Sequence, residues 1–145
     1  MVRDTHCFCF FSTIEFVPCP VYENSEIHLQ PADFLTLTST YANAATSFIK
    51  TNAGASDDAH YNYYVHARTF IPSAAASGNP FFLYFAFQHT HQPQFAGKDF
   101  TNTTLRGPFG DALAELDWGV GQVMQALKDA GVDNNTLAFF TADNG

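Results

Sequence analysis

Hydrophobic positions follow a helical period in two stretches of this chain. From Asp33 onward, apolar side chains recur at spacings of three and four residues until an Asn-Ala-Gly sequence at 52–54, which predicts a helix over this stretch. Pro108 and Gly131, typical first-turn and post-helix residues, bracket a second predicted helix. That helix carries one continuous apolar stripe that steps by four and three residues along Phe109, Leu113, Leu116, Val120, Val123 and Leu127.

Two apolar runs without a helical period lie on either side of the second helix. The run PFFLYFAF at 80–87 is rich in strong β-formers and predicts a strand buried on both faces. The run TLAFFT at 136–141 predicts another buried strand. A strand, a long helix and a strand in this order favour a parallel βαβ crossover, so the sequence predicts an α/β fold with largely parallel strands and flanking helices.

Polar side chains follow each predicted strand at its carboxyl end. His89 and His91 follow the first strand, and Asp143 and Asn144 follow the second. Open α/β sheets place their sites along this edge, where carboxylate and amide oxygens suit Ca²⁺ or Mg²⁺ and a histidine can transfer a proton. Simpler interpretations remain for both groups, because Asp-Asn sequences form turns and a loop histidine is often satisfied by the backbone.

Composition narrows the class of protein. The chain has 145 residues, of which 46% are hydrophobic, so it is long enough and apolar enough for one globular domain. A net charge of -8 with only six basic residues offers no electrostatic footprint for nucleic acid. No stretch is long enough to span a membrane, and the apolar run at 7–11 is too short for a signal peptide.

The amino-terminal segment differs from the rest of the chain. Residues 1–17 are rich in Phe and Cys and have no clean period, so we divide the chain into a divergent segment, 1–17, and one domain, 18–145. Cys7, Cys9 and Cys19 contain no C-x-x-C pair, which argues against a zinc site. Asn102 and Asn134 each begin an N-x-Thr sequon in a predicted loop and are candidate glycosylation sites.

Four motifs in a fixed order resemble one family. They are PFFLY at 80–84, QHTHQPQF at 88–95, GPFGDALAELD at 107–117, and NTL at 135–137 followed by FTADNG at 140–145. In this order and spacing they resemble the type I sulfatases, in particular the arylsulfatase A-like enzymes of animals. The resemblance is densest over 80–145, extends to about 18–49, and is absent from 1–16. It implies an alkaline-phosphatase-like sheet, of which 18–145 would be part of the amino-terminal catalytic domain.

The resemblance also implies roles for individual residues. Asp143 and Asn144 match an acid and an amide that ligate an active-site Ca²⁺, in preference to Mg²⁺. His91 matches a histidine that contacts the sulfate ester and assists the leaving oxygen, whereas His89 matches a position without a catalytic role. The implied activity is hydrolysis of sulfuric esters, on a small molecule or a sulfated glycan or lipid, in a lysosomal or secreted glycoprotein. Neither the natural substrate nor the oligomeric state follows from the sequence.

One departure from the family pattern leaves alternatives open. The family nucleophile is a formylglycine made from the Cys of a Cys-x-Pro-Ser-Arg motif, and none of the three cysteines is followed by that sequence. We therefore interpret the chain as a central fragment of a sulfatase domain that is inactive as given. One alternative is a truncated, non-catalytic pseudoenzyme. Another is a metal-dependent phosphoesterase of the same superfold.

Overall fold

A computed structural model describes residues 20–23, 25–53 and 80–144 of the chain. Along these residues the order is a β-hairpin, a helix, an extended apolar segment with a turn, a long helix and a second extended segment. The divergent amino-terminal segment 1–17, with Cys7 and Cys9, and Cys19 lie outside the described residues. The domain boundary that we predict between 17 and 18 therefore stays a prediction.

The hairpin consists of two short antiparallel strands, β1 (Val21–Glu23) and β2 (Glu26–Leu29). Val21 pairs with Leu29 and Tyr22 with Ile27, with an irregularity in the register between Val21 and Tyr22. Val21 is buried in a cluster with Leu37 and the side chains around it. The hairpin is thereby anchored to the start of the first helix.

Helix α1 (Leu37–Asn52) ends where its sequence predicts, but it begins four residues after Asp33. Asp33 instead forms a turn ahead of the helix, because its Oδ1 accepts from the Leu35 backbone N–H at 3.0 Å and its Oδ2 from the Thr36 hydroxyl at 3.0 Å. An Asp side chain that bonds the backbone two residues later competes with helical geometry. The helix therefore starts only after this turn.

Helix α2 (Gly107–Asp129) confirms the longer helix that the sequence predicts. It ends in a Schellman motif, in which Gly131, at φ +69°, donates to the Lys128 carbonyl and Val132 donates to the Leu127 carbonyl. Val132 and Leu127 also pack together. Because a left-handed residue at this position favours glycine, Gly131 ends the helix as predicted, and a short 3₁₀ helix, Asp133–Asn135, follows.

The buried face of α2 coincides only in part with its most apolar stripe. Phe109 and Leu113 at the start of the stripe are exposed, whereas Leu127 at its end is buried. The other buried residues of the helix are small or acidic: Gly110, Asp111, Ala112, Glu115, Gly119 and Ala126. Helix α1 offers a matching surface with Ala42, Ala44 and Ala45. Small residues on both helices let them pack closely. Gly119 also faces the segment 80–87, because a methyl group on it would lie 2.7 Å from the Phe87 ring.

The apolar segment 80–87 alternates like a strand but is not paired as one. Phe81, Leu83 and Phe85 pack on the clusters formed by the two helices, whereas Phe82 and Tyr84 are both 59% exposed. The expectation that this run is buried on both faces is therefore wrong in this structure: one face packs on the helices and the other is exposed.

The largely parallel sheet is not confirmed. The described residues contain one two-stranded sheet, the antiparallel hairpin, and no strand is assigned at 80–87 or 136–141. Leu137 and Phe139 are 81% and 86% exposed, so the second run is not buried either. A strand is defined by hydrogen bonds to a neighbour, and the described part of the chain provides neither run with one.

No helix in the described part of the chain is long and apolar enough to cross a membrane.

Candidate active site

His91 lies at an exposed turn after the segment 80–87. The turn is closed by the His91 backbone N–H, which donates to the Gln88 carbonyl at 3.0 Å. The imidazole Nδ1 lies 2.6 Å from the Gln92 carbonyl oxygen. Because a carbonyl only accepts, Nδ1 carries a hydrogen, and Nε2 is the nitrogen left to bind or release a proton. Among the described residues, Nε2 of His91 has no hydrogen-bond partner.

His89 has the opposite environment, with a side chain only 2% exposed. Its Nε2 lies 3.0 Å from Glu115 Oε2 and 3.2 Å from Thr38 Oγ1. An ionised carboxylate only accepts, so Nε2 carries the hydrogen and donates it to Glu115. The edge of the imidazole also packs against Phe95, with ring centroids 4.5 Å apart. His89 is thus held by α1, α2 and its own loop.

Glu115 binds the loop at a second point. Its side chain is 3% exposed, and Oε2 accepts from the Gly97 backbone N–H at 2.9 Å. A methyl group on Gly97 would lie 2.8 Å from Glu115 Oε1 and 2.9 Å from the Leu35 carbonyl oxygen. Only glycine lets the backbone come this close to both groups. The segment 89–97 is therefore attached to one carboxylate oxygen at each end.

Asp111 organises the next part of the same loop, one helical turn before Glu115. Its carboxylate accepts from the backbone N–H groups of Asn102 at 2.7 Å, Thr103 at 3.2 Å and Thr104 at 2.9 Å. Burial alone would raise the pKa of Asp111, but these bonds and the Thr104 hydroxyl favour the charged form more strongly. The net effect holds the pKa of Asp111 below its usual value.

Asp143 and Asn144 end the second extended segment, and both are exposed. Carboxylate and amide oxygens are hard donors, which fits Ca²⁺, but a calcium site needs about six to eight oxygens. The described residues contain no group of three or more His, Cys, Asp or Glu side chains that could hold a metal ion. The two residues therefore fit the chemistry of a calcium site, and their role as its ligands stays a prediction.

The structure does not join the predicted site residues to one another. Within the described ranges, no hydrogen bond or ion pair links His91 to Asp143 or Asn144. The side chains of His91, Asp143 and Asn144 are all exposed. Whether His91, Asp143 and Asn144 form one site stays a prediction.

Comparison with known proteins decides the family. The family model described as Sulfatase matches residues 20–145, which is most of the chain. This chain belongs to the sulfatase family. The sulfatase domain implies an alkaline-phosphatase-like α/β fold, which agrees with the α/β class that the sequence predicts, although no parallel strands are seen in residues 20–23, 25–53 and 80–144.

Individual relatives match parts of the chain closely. Over 83 residues it is 53% identical to arylsulfatase A of Bos taurus and 46% identical to N-acetylgalactosamine-6-sulfatase of Rattus norvegicus, which is 57% of this chain and 16% of each relative. Over 127 residues, 88% of this chain and 18% of the relative, it is 32% identical to steryl-sulfatase of Rattus norvegicus. The chain thus spans less than a fifth of these sulfatases.

The two sequons of this sulfatase lie on exposed residues. Asn102 has a positive φ of 60° in the loop that Asp111 holds, and Asn134 lies in the 3₁₀ helix. Both side chains are accessible for a glycan. Glycosylation at Asn102 and Asn134 stays a prediction.

The buried carboxylates that hold the loop, Asp111 and Glu115, were not predicted from the sequence. Acidic residues early in a helix suit its dipole without any specific partner, but in the structure Asp111 and Glu115 accept specific backbone hydrogen bonds. A signal was present, because Asp111, Glu115 and Gly119 recur every four residues on one helix face. Small and acidic residues at helical spacing indicate a buried face less clearly than an apolar stripe does, and the apolar stripe lies beside them on the same helix. Thr38 gave no signal of its own.

Proposed function

We propose that the whole protein to which these residues belong hydrolyses sulfuric esters, as an arylsulfatase-like hydrolase. Membership of the sulfatase family supports the reaction class. The observation that carries the assignment to a residue is the exposed imidazole of His91, whose Nδ1 is bound to the Gln92 carbonyl while Nε2 is left without a partner in the described residues. A sulfate ester approaching His91 would meet a nitrogen able to exchange a proton.

His91 is the proposed substrate-binding and proton-transferring residue. A protonated Nε2 donates a hydrogen bond to the ester oxygen and passes its proton to that oxygen as the S–O bond breaks. The Gln92 carbonyl fixes which nitrogen does this, because it occupies Nδ1. Stabilising a developing alkoxide or phenolate in this way matters most when the leaving group is a poor one.

Asp143 and Asn144 are the proposed calcium ligands. Their oxygens fit the donor type that Ca²⁺ prefers, and the remaining ligands would come from other parts of the protein. When bound, Ca²⁺ supplies positive charge that polarises the sulfate group. Asp143→Ala should lower the calcium affinity of the full-length protein by more than about tenfold, since the loss of even an outer-shell contact typically costs 10- to 100-fold in affinity. A calcium-binding isotherm of each protein measures this affinity. Unchanged affinity would remove Asp143 from the site.

The nucleophile is expected from elsewhere in the protein. Residues 1–145 contain no Cys-x-Pro-Ser-Arg sequence, so a formylglycine, if present, is formed outside them. We therefore propose the activity for the whole protein and expect none from these residues alone. Substrate candidates are small aryl sulfates and sulfated glycans or lipids. A lysosomal or secreted location is proposed on the same family grounds.

The experiment is turnover by the full-length protein of a matched pair of esters, an aryl sulfate and the corresponding aryl phosphate. We expect the sulfate to be hydrolysed and His91→Ala to abolish most of that rate. Hydrolysis of the phosphate alone would favour a phosphoesterase of the same superfold. No turnover of either ester would favour a non-catalytic pseudoenzyme.

A further inference from the structure

One carboxylate oxygen holds both ends of the segment that carries His91. Glu115 Oε2 accepts from the His89 imidazole at 3.0 Å and from the Gly97 backbone N–H at 2.9 Å. Between these two points lies the turn with His91. We propose that Glu115, acting through His89 and Gly97, is a positioning residue that sets the place of His91 for the reaction.

Burial makes this attachment strong enough to position a loop. The side chains of His89 and Glu115 are 2% and 3% exposed, so water competes little for their hydrogen bond. A carboxylate hydrogen-bonded to two donors is also stronger than a neutral acceptor. The bond is therefore well suited to hold the base of an exposed turn.

The support on the other side of His89 comes from α1. Thr38, buried on that helix, places Oγ1 3.2 Å from the same Nε2. The His89 ring also rests on Phe95, which packs against Phe34 with ring centroids 4.9 Å apart. The base of the turn is thus fixed between two helices that pack on each other.

The tip of the turn has far fewer contacts of its own. His91, Gln92 and Pro93 are all exposed, and the His91 imidazole bonds only the neighbouring Gln92 carbonyl among the described residues. Beyond its bonds to Gln88 and Gln92 within the turn, the position of His91 therefore depends on the ends of the segment. This dependence is what makes Glu115 more than a contributor to stability.

The chain offers a matched control one helical turn away. Asp111 is also a buried carboxylate of α2, and it accepts three backbone hydrogen bonds, from Asn102, Thr103 and Thr104. It holds the part of the loop beyond 97, and its hydrogen bonds are to Asn102, Thr103 and Thr104 rather than to His89 or Gly97. Replacing Asp111 therefore removes a comparable buried group without releasing the segment 89–97.

The first readout is hydrogen exchange in the full-length protein, followed by mass spectrometry of its peptides. Glu115→Gln and Glu115→Ala should speed exchange in peptides covering 89–97 and leave 102–104 unchanged. Asp111→Asn should do the reverse. Equal exchange of 89–97 in the wild type and in a folded Glu115→Ala variant would overturn the proposal.

The second readout uses the proposed sulfatase activity, on which this part of the inference rests. A shift in the place of a reacting group costs up to about a hundredfold in rate, so Glu115→Ala should lower kcat by about tenfold to a hundredfold with a smaller change in KM, and Glu115→Gln by less. In a His91→Ala background the same substitutions should have little further effect on kcat. A loss of the same size in both backgrounds would assign Glu115 a general structural role and overturn the proposal.

The two readouts separate the two hypotheses. If the wild-type protein hydrolyses no sulfate ester, the proposed function fails, and the exchange experiment still decides whether Glu115 fixes the segment 89–97. If the wild type is active but Glu115→Ala leaves both exchange and kcat unchanged, the positioning role fails and the sulfatase assignment stands.

Discussion

His89 and His91 lie two positions apart in the same loop, yet their surroundings differ in almost every respect. The His89 imidazole is buried between two helices and bonded to Glu115 and Thr38. The His91 imidazole is exposed and bonded only to its neighbour's carbonyl within the described residues. One histidine is hydrogen-bonded inside the fold, and the other presents a nitrogen at the surface.

The two histidines show that one loop can carry both a side chain that holds its structure and a side chain that is available to react. A buried group that is hydrogen-bonded inside the fold lowers the free energy of the native state but is out of reach of a substrate. An exposed group contributes little to stability and remains accessible to a substrate. Substitution of His89 should therefore lower stability, whereas substitution of His91 should lower activity and leave stability nearly unchanged.

The largest expected effect is on the rate of the enzyme when His91 is replaced. His91→Ala in the full-length protein should lower kcat for an aryl sulfate by about 10²- to 10⁴-fold, the usual range for a lost general acid. The melting temperature should stay nearly the same, because the side chain has few contacts. Parallel kinetic and thermal measurements check both statements, and a large fall in stability would show that the exposed position is misassigned.

Replacing His89 should affect stability most. His89→Ala removes one of the two donors to the buried Glu115 carboxylate and leaves only the Gly97 N–H, which typically costs about 1–3 kcal/mol. Urea unfolding of the wild type, His89→Ala and His91→Ala measures the difference directly. Equal unfolding midpoints for the two alanine variants would contradict the contrast between the histidines.

Two glycines, Gly97 and Gly121, provide a similar contrast between a buried and an exposed position. Gly97→Ala brings a methyl group within 3 Å of the Glu115 carboxylate and the Leu35 carbonyl, and overpacking of this kind costs about 1–3 kcal/mol. Gly121→Ala, on the exposed side of α2, meets nothing within 4 Å. It should stabilise the helix by about 0.5–1 kcal/mol. Denaturant unfolding should therefore shift in opposite directions for the two variants.

The smallest effect concerns pH and Asp111. A carboxyl whose pKa is lowered on folding contributes stability above its unfolded value, here about 3.8, and loses it as pH falls through the folded pKa. The difference in unfolding free energy between the wild type and Asp111→Asn should be constant from pH 7 to 5. It should shrink as the pH falls below about 4. A difference independent of pH down to 2.5 would show that Asp111 is not held in its charged form.

The sequence predicted the helices well because their boundaries are local. Gly131 stops α2 through a left-handed residue and two defined backbone bonds, all within six positions. The start of α1 was misplaced by a few residues because Asp33 bonds to Leu35 and Thr36 in a turn. Local chemistry of this kind can be read from neighbours in the sequence.

The sheet and the support of the loop depend on distant residues, and the sequence predicted them less well. The runs at 80–87 and 136–141 have the composition of strands, but a strand also needs a paired neighbour, which the described residues do not provide. Glu115 meets His89 across 26 positions and Gly97 across 18. Neither contact follows from spacing along the chain. The roles of His91, Asp143 and Asn144 rest on the family resemblance and on donor chemistry.

The dependence of rate on the leaving group tests the central claim, that His91 gives a proton to the departing oxygen. We would measure kcat for a series of aryl sulfates of increasing phenol pKa with the full-length wild type and with His91→Ala. We predict that the loss of kcat caused by His91→Ala grows steadily as the leaving group becomes poorer. A loss of the same size across the whole series would contradict proton transfer by His91.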